Sequence, residues 1–343
     1  MGRQSVSNNR MYMSGAERRK LGQSGPELTP IGLGCWQFSK GKGFAGRFWG
    51  SVPQDTVRRI VATAIEEGID WFDTAEVYGW GESEAALADA LRKASVKRGE
   101  VTVATKWFPL LRRAASLSKT FVQRERFLAP YPVGLHQVHF PGSISRVRTQ
   151  MKHLAALVQR GRVTAVGVSN FNAKQMQEAH EALAEHGVAL ASNQVKYSLL
   201  DREIEDNGVL EAAKELGVSI VAYSPLAQGI LTGKYHKNPK LIQSRPGPRK
   251  RMKQFQEDGL SRTQPLVDEL ERIAARYSSE AEKVTASQVA LNWVIHSHDA
   301  RCLAIAGASN EGQARQNARA MRFRMSAEEL GQLRELAEWA ERS

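Results

Sequence analysis

The stretch Val57–Asp73, VRRIVATAIEEGIDWFD, decides how the rest of the chain is read. Val57, Ile60, Val61, Ala64 and Ile65 recur at intervals of three and four, which puts them on one face of an α-helix. Gly68 then supplies a left-handed helix stop, because a residue without Cβ takes positive φ at no steric cost. Ile69–Asp73 follows as a short strand that ends on a carboxylate. The stretch is one helix–turn–strand unit.

Working outward, the unit repeats. Strands are predicted at Ile31–Cys35, Ile69–Asp73, Val101–Thr105, Val133–His139, Val163–Val168, Ala189–Val195, Val218–Tyr223 and Cys302–Ala306. Most are apolar along their length, as strands buried on both faces should be. Helical periodicity runs over Val147–Gln159 before Gly161, Ala173–Glu185 before Gly187, Val209–Leu216 before Gly217, and Ala286–His296. Ser326 and Glu329 form an S-x-x-E capping box that opens a last helix through Leu330, Leu333 and Leu336. Alternating units imply a parallel sheet, and this many imply an α/β fold closed into a (β/α)8 TIM barrel. Arg18–Thr29 reads as an N-terminal hairpin around Gly22–Gly25. Residues 228–263 read as a long basic insertion after the seventh strand, with extra helices in the C-terminal part. Residues 1–17 are expected to be a flexible tail and 18–343 a single barrel domain, since no composition shift divides them.

Composition narrows the function. Of 343 residues, 42% are hydrophobic and 24% charged, enough for a large core. The two cysteines, Cys35 and Cys302, form no CxxC and indicate neither a disulfide framework nor a thiolate metal site. They fit a reducing cytoplasm, with an organelle stroma as the other option. No metal site is expected. The net charge of +12 is scattered between the first 20 residues and Arg245–Lys253. Without interleaved aromatics or a zinc-finger or RNP motif, nucleic acid is not expected as a partner. No run is long and apolar enough for a membrane span. The charge reads as a solvated surface or as attraction for a phosphorylated cofactor. The oligomeric state stays open.

The strand ends carry the chemistry, because barrel active sites form at the C-terminal face. Asp73 ends the second strand, with Tyr78 in the loop after it. Lys106 and Trp107 follow the third strand, His139 the fourth, Ser169 and Asn170 the fifth, Gln194 the sixth and Tyr223 the seventh. Each has a bland reading alone: a helix cap, a solvent charge, a loop aromatic, a core histidine. Together they make a proton-transfer set. A free tyrosine titrates near pH 10, and a nearby Lys106 cation held by Asp73 would favour its phenolate. His139 would donate to the same substrate oxygen. His136, an odd number of residues away, should face the helices and be structural. Ser169, Asn170 and Gln194 suit a carboxamide edge, and the flat ring of Tyr223 suits an aromatic face. The GKGFAG run at Gly41–Gly46 matches G-x-G-x-x-G, but no strand leads into it and no helix starts at the glycines. Cys35 has no base beside it and reads as a packing residue.

Seven ordered motifs resemble the aldo-keto reductase superfamily: GIDWFDTAEVYGWGESE at Gly68–Glu84, ATKW, LHQVHFPG, GVSNF, NQVKYS, AYSPLAQGILTGKY and IAGASNEGQARQN. The likeness runs from about residue 18 to the C-terminus. It implies an NADP(H)-dependent oxidoreductase acting on a small carbonyl or alcohol, with Tyr78, Lys106, Asp73 and His139 as its tetrad. It implies that Ser169, Asn170 and Gln194 hold the carboxamide and that Tyr223 stacks on the nicotinamide. Ser224, Pro225, Leu226, Gly229 and Lys234 would line the pyrophosphate. Gly307, Ser309, Gln313, Gln316 and Asn317 would hold the adenosine half. Trp36 would border cofactor and substrate, Trp107 and Phe140 the substrate, and Arg245 would fold over the cofactor. Two departures stand out. Ala308, Ser309 and Asn310 occupy the place where many members carry a cation for the 2′-phosphate, which leaves NAD(H) as the lesser option and Ser309, Arg315 or Arg245 as substitutes. Gln316 replaces a frequent Glu. The likeness also extends to potassium-channel β subunits, which suggests a regulatory nucleotide-sensing subunit as the alternative. Those subunits lack the tetrad histidine that His139 supplies here.

Overall fold

A computed structural model describes residues 17–42, 52–243, 251–298 and 301–342. A hairpin of β1 (Arg19–Lys20) and β2 (Glu27–Leu28) precedes the barrel. The barrel strands are β3 (Ile31–Gly34), β4 (Trp71–Asp73), β5 (Thr102–Trp107), β6 (Val133–Val138), β7 (Val163–Ser169), β8 (Leu190–Lys196), β9 (Ser219–Tyr223) and β10 (Cys302–Gly307). All neighbours pair in parallel and β10 closes on β3, so the predicted TIM barrel is the observed one. Predicted and observed strands overlap throughout, with ends displaced by a residue or two.

The barrel is wrapped by α1 (Gln54–Glu66), α2 (Glu82–Lys93), α3 (Ala115–Leu128), α4 (Val147–Gln159), α5 (Ala173–Ala184), α6 (Glu203–Asp206), α7 (Val209–Leu216), α8 (Lys234–Lys237), α9 (Glu257–Tyr277), α10 (Ala286–His296), α11 (Glu311–Arg319) and α12 (Ala327–Arg342). The capping box before α12 forms as expected, Ser326 and Glu329 each accepting from the other's backbone N–H. The expected insertion at 228–263 is shorter than its composition suggests. Helix α9 already begins at Glu257, although it holds Gly259 and Pro265. Its buried face of Leu266, Val267, Leu270 and Ile273 outweighs those breakers. The expected tail, most of the GKGFAG run and Arg245 lie outside the described residues.

Side-chain alternation sorts each strand into inward and outward sets. The inward residues Trp71, Ala104, Leu135, Ala165, Ala191, Val221 and Leu303 pack with Leu21 and Leu28 of the hairpin and make an apolar floor. Trp71 fills most of it and donates its Nε1–H to the Thr29 carbonyl at 2.8 Å. Gly32 makes room for that ring, since a Cβ there would lie 2.3 Å from Trp71 Cε2. Arg19, one of the basic residues among the first 20, is buried and not part of the solvated surface charge. It donates to the Ile295 and Cys302 carbonyls at 2.5 and 2.6 Å and so ties the hairpin to the last strand. Among the described residues, no helix is long and apolar enough to cross a membrane.

Candidate active site

Strand register sets the polar layer above the apolar filling. Gly34 pairs with Asp73, Lys106 with Gln137, and Ser169 with Gln194, so functional side chains from separate strands reach one level. Lys106 is fully buried and donates to Asp73 Oδ1, and also to the Thr74 carbonyl at 3.0 Å. The second oxygen of Asp73 accepts from Gln194 Nε2 at 3.0 Å and Gln137 Nε2 at 3.4 Å. A buried ion pair is stable only when its remaining hydrogen-bonding capacity is met, and these amides meet it.

Tyr78 stands over this pair. A turn fixes it, its N–H donating to the Ala75 carbonyl at 3.0 Å. Its ring stacks on Trp36 at 5.1 Å and meets the His139 imidazole edge-on at 5.7 Å. Lys106 Nζ lies 5.3 Å from the ring centre. Burial raises the Tyr78 phenol well above its usual range, and the Asp73 carboxylate adds to the rise. The expected lowering by Lys106 is therefore not the net outcome: with Asp73 matched to it, the lysine does not outweigh burial in the resting site. The group is a neutral phenol. His139 is pushed well below the usual histidine range by burial and then by Lys106, so it is a neutral imidazole. Among the described residues its Nδ1 has no hydrogen-bond partner.

These groups open into a cavity of about 1130 Å³. Its wall includes Asp73, Tyr78, His139, Trp36 and Phe140 on one side. Ser169, Asn170, Gln194 and Tyr223 line it further round, joined by Ser224, Pro225, Leu226, Gly229 and Lys234 after β9. Gly307, Ser309, Gln313, Gln316 and Asn317 complete it after β10. Asn170 sits at φ 59° and donates to the His139 carbonyl at 3.2 Å and Ser169 Oγ at 3.0 Å, while accepting from Tyr223 Oη at 2.9 Å. The loop after β9 turns through positive φ at Ser224, Gln228 and Gly229. A Cβ on Gly229 would come within 3.2 Å of Lys234 Nζ. Gln313 accepts from the Ser309 backbone N–H at 2.8 Å, and Asn317 donates to the Gly307 carbonyl at 3.2 Å.

Three expected residues stand elsewhere. Lys106 lies beneath the cavity, behind Asp73. Trp107, expected at the substrate, is 1% exposed and packed in the outer core, its Nε1 3.2 Å from Ser116 Oγ. Strand β5 runs on through it, and alternation turns it outward when Lys106 points in. Arg315 is bound by Glu67 at 2.8 Å and is not part of the wall. His136 faces the helices against Phe121, with burial holding it at a pKa of about 3, as its offset implied. Cys35 is a buried member of the core and also touches the cavity. Sequence reading missed Gln37, Thr56, Lys196, Thr285 and Ser287 on the wall. A signal existed for Thr285, which caps α10 in a T-x-x-Q box with Gln288.

Comparison with known proteins identifies the family to which this fold belongs. Residues 30–338 match the model of the aldo/keto reductase family. An uncharacterised oxidoreductase of Mycobacterium tuberculosis is 34% identical over 313 residues, covering 91% of this chain and 90% of that protein. The chloroplastic pyridoxal reductase of Arabidopsis thaliana is 32% identical over 282 residues, covering 78% of this chain and 73% of its own. The structure of a glycerol dehydrogenase from Gluconobacter oxydans superposes with a TM-score of 0.79 at 25% identity, covering 94% of this chain and 95% of that one. Fold, cavity and relatives converge, and the chain belongs to the aldo/keto reductase family of oxidoreductases.

Proposed function

We propose that this chain interconverts aldehydes or ketones and alcohols with NADP(H), and that Tyr78 moves the proton. The observation that carries the reading is a neutral phenol held between Trp36 and His139, above a buried Lys106–Asp73 pair, at the wall of a large cavity. When bound, the nicotinamide supplies hydride to the carbonyl carbon. The substrate oxygen gathers negative charge as its carbonyl is reduced, and Tyr78 then gives it the phenolic proton. Lys106 stabilises the tyrosinate left behind. Asp73 keeps the ammonium ionised and in place. His139, neutral, offers a ring N–H toward the same oxygen, a preorganised donor.

Several features of the chain fit the cofactor. Asn170, aligned by Ser169 and Tyr223, and Gln194, held by Asp73, supply amide groups at the cavity wall. Gly229 leaves open the space before Lys234, where a pyrophosphate would find a cation. Ser309, Gln313, Gln316 and Asn317 offer polar groups to the adenosine half. With Arg315 taken by Glu67, Ser309 and the undescribed Arg245 are the groups proposed for the 2′-phosphate. Two buried free cysteines suit a reducing cytoplasm.

The test is consumption of NADPH with a panel of carbonyls that includes pyridoxal and aromatic aldehydes, alongside oxidation of glycerol. Turnover of some member is expected. Titration of tryptophan fluorescence should show tighter binding of NADPH than NADH. Tighter NADH binding would overturn the cofactor choice, and a panel with no turnover would overturn the activity.

A further inference from the structure

One flank of the cavity is braced by a charged residue that touches neither Tyr78 nor the cavity wall. Arg112 lies in the loop between β5 and α3, half-buried. Its Nη1 donates to both oxygens of Glu76 at 3.0 Å and to the Phe108 carbonyl at 3.0 Å. Its Nε reaches Ser116 Oγ and its Nη2 Thr120 Oγ1, both at 3.2 Å. Its guanidinium sits 5.7 Å above the Trp107 ring. The backbone carbonyl of the same residue accepts from Ile144 N–H at 3.1 Å and Ser143 Oγ at 2.8 Å. The Arg112 side chain thus joins the loop after β4 to the loop after β5, while its backbone carbonyl, which any residue there would supply, holds the loop after β6.

Those loops present an apolar lip beside Phe140. Trp80 packs edge-on against Phe108 at 5.8 Å, and Phe108 against Phe140 at 5.3 Å. Trp80 is 54% exposed and Leu110 48% exposed. An exposed aromatic and aliphatic surface continuous with a cavity marks a binding region. Phe140 is the member that lines the cavity itself. Arg112 fixes the Phe108 side of that contact, because its Nη1 holds both the Phe108 carbonyl and the Glu76 carboxylate that accepts from Phe108 N–H at 2.9 Å.

We infer that Arg112 is a positioning residue for substrate selectivity: by bracing the Phe108–Phe140 lip it favours carbonyl compounds that carry an aromatic or branched apolar group. The inference rests on the proposed carbonyl chemistry. Glu76 also pairs with buried Arg124 at 3.3 Å, and Tyr78 is fixed by its own backbone turn. Loss of Arg112 therefore loosens the lip while leaving the proton donor in place.

The test compares wild type with Arg112→Met and Arg112→Lys, using propanal and 2-naphthaldehyde as substrates. Misplacement of a substrate-orienting surface can cost on the order of 100-fold, so kcat/KM for the naphthaldehyde should fall by about that factor in Arg112→Met, mainly through KM, while propanal changes by less than about threefold. Arg112→Lys, which keeps the charge without the fork, should fall between. Affinity for NADPH, read by tryptophan quenching, should not change. Hydrogen exchange gives a readout that needs no turnover: residues 108–113 should lose protection in Arg112→Met, and residues 140–146, held by the main-chain carbonyl at 112, should change less. Equal losses for both aldehydes, weakened NADPH binding, or unchanged protection at 108–113 would overturn the inference. Wild type without any carbonyl turnover would overturn the functional reading and the selectivity with it, and the exchange result would still decide the brace.

Discussion

The two ends of this barrel are built from opposite materials. At the floor, Leu21, Leu28 and Trp71 close the interior with apolar contact and one indole hydrogen bond. At the mouth, one strand level higher, Asp73, Lys106, Gln137 and Gln194 fill the same cross-section with charge and amides. The floor excludes water through packing. The mouth satisfies buried polar groups with one another and leaves a phenol and an imidazole facing the cavity. The difference teaches that one wall of strands can serve stability at one end and chemistry at the other, because alternation and register repeat along every strand.

That division predicts a double dissociation. Tyr78→Phe removes the phenolic oxygen and keeps the ring on Trp36. Activity should fall by about 100- to 10,000-fold, with an unchanged urea midpoint. A variant retaining full turnover would erase the assigned role of the mouth. Trp71→Ala should do the reverse. Loss of a fully buried aromatic should destabilise the fold by about 3–5 kcal/mol, read from denaturant unfolding, while kcat of the folded fraction stays near wild type. A collapse of kcat with little loss of stability would merge the two ends.

The smallest effect concerns acid. His136 on the wall resists protonation down to a pKa of about 3, whereas an unfolded histidine binds its proton near 6.5. A depressed folded value means that stability from the neutral ring is complete above 6.5 and is lost as pH falls below it. The loss should approach about 1.4 kcal/mol per pH unit until the folded group titrates. Unfolding of His136→Gln at pH 7 and pH 5.5 should show a shallower decline than wild type. The same decline in both proteins would mean that His136 carries none of the acid sensitivity.

How much of this was readable beforehand follows from range. The strands and most helices were legible, since hydrophobic period and glycine stops act within a few residues. Helix α9 was not, because Gly259 and Pro265 are local signals against a helix whose support comes from tertiary burial. At the mouth, residue types at strand ends were enough to nominate Asp73, Tyr78, Lys106 and His139. The misplacement of Trp107 came from ending β5 two residues early. The balance at Tyr78 was not legible for a different reason. Whether Lys106 outweighs burial depends on how far Asp73 screens it and on how dry the site is, and neither is written in spacing. The role of Arg112 was invisible because the loop its side chain reaches, at Glu76, lies 36 residues before it.

The hairpin has one further consequence, for the order of assembly. Arg19 takes its carbonyl partners 276 and 283 residues away, and Gly22, at φ +61°, donates to Ser219 Oγ at 2.8 Å. The plug therefore cannot lock until strands β9 and β10 exist as a wall. Contacts of such long sequence separation form late and slowly. The floor is thus sealed by contacts between the two ends of the sequence, and an early hairpin has its anchors only in the last two strands of the barrel.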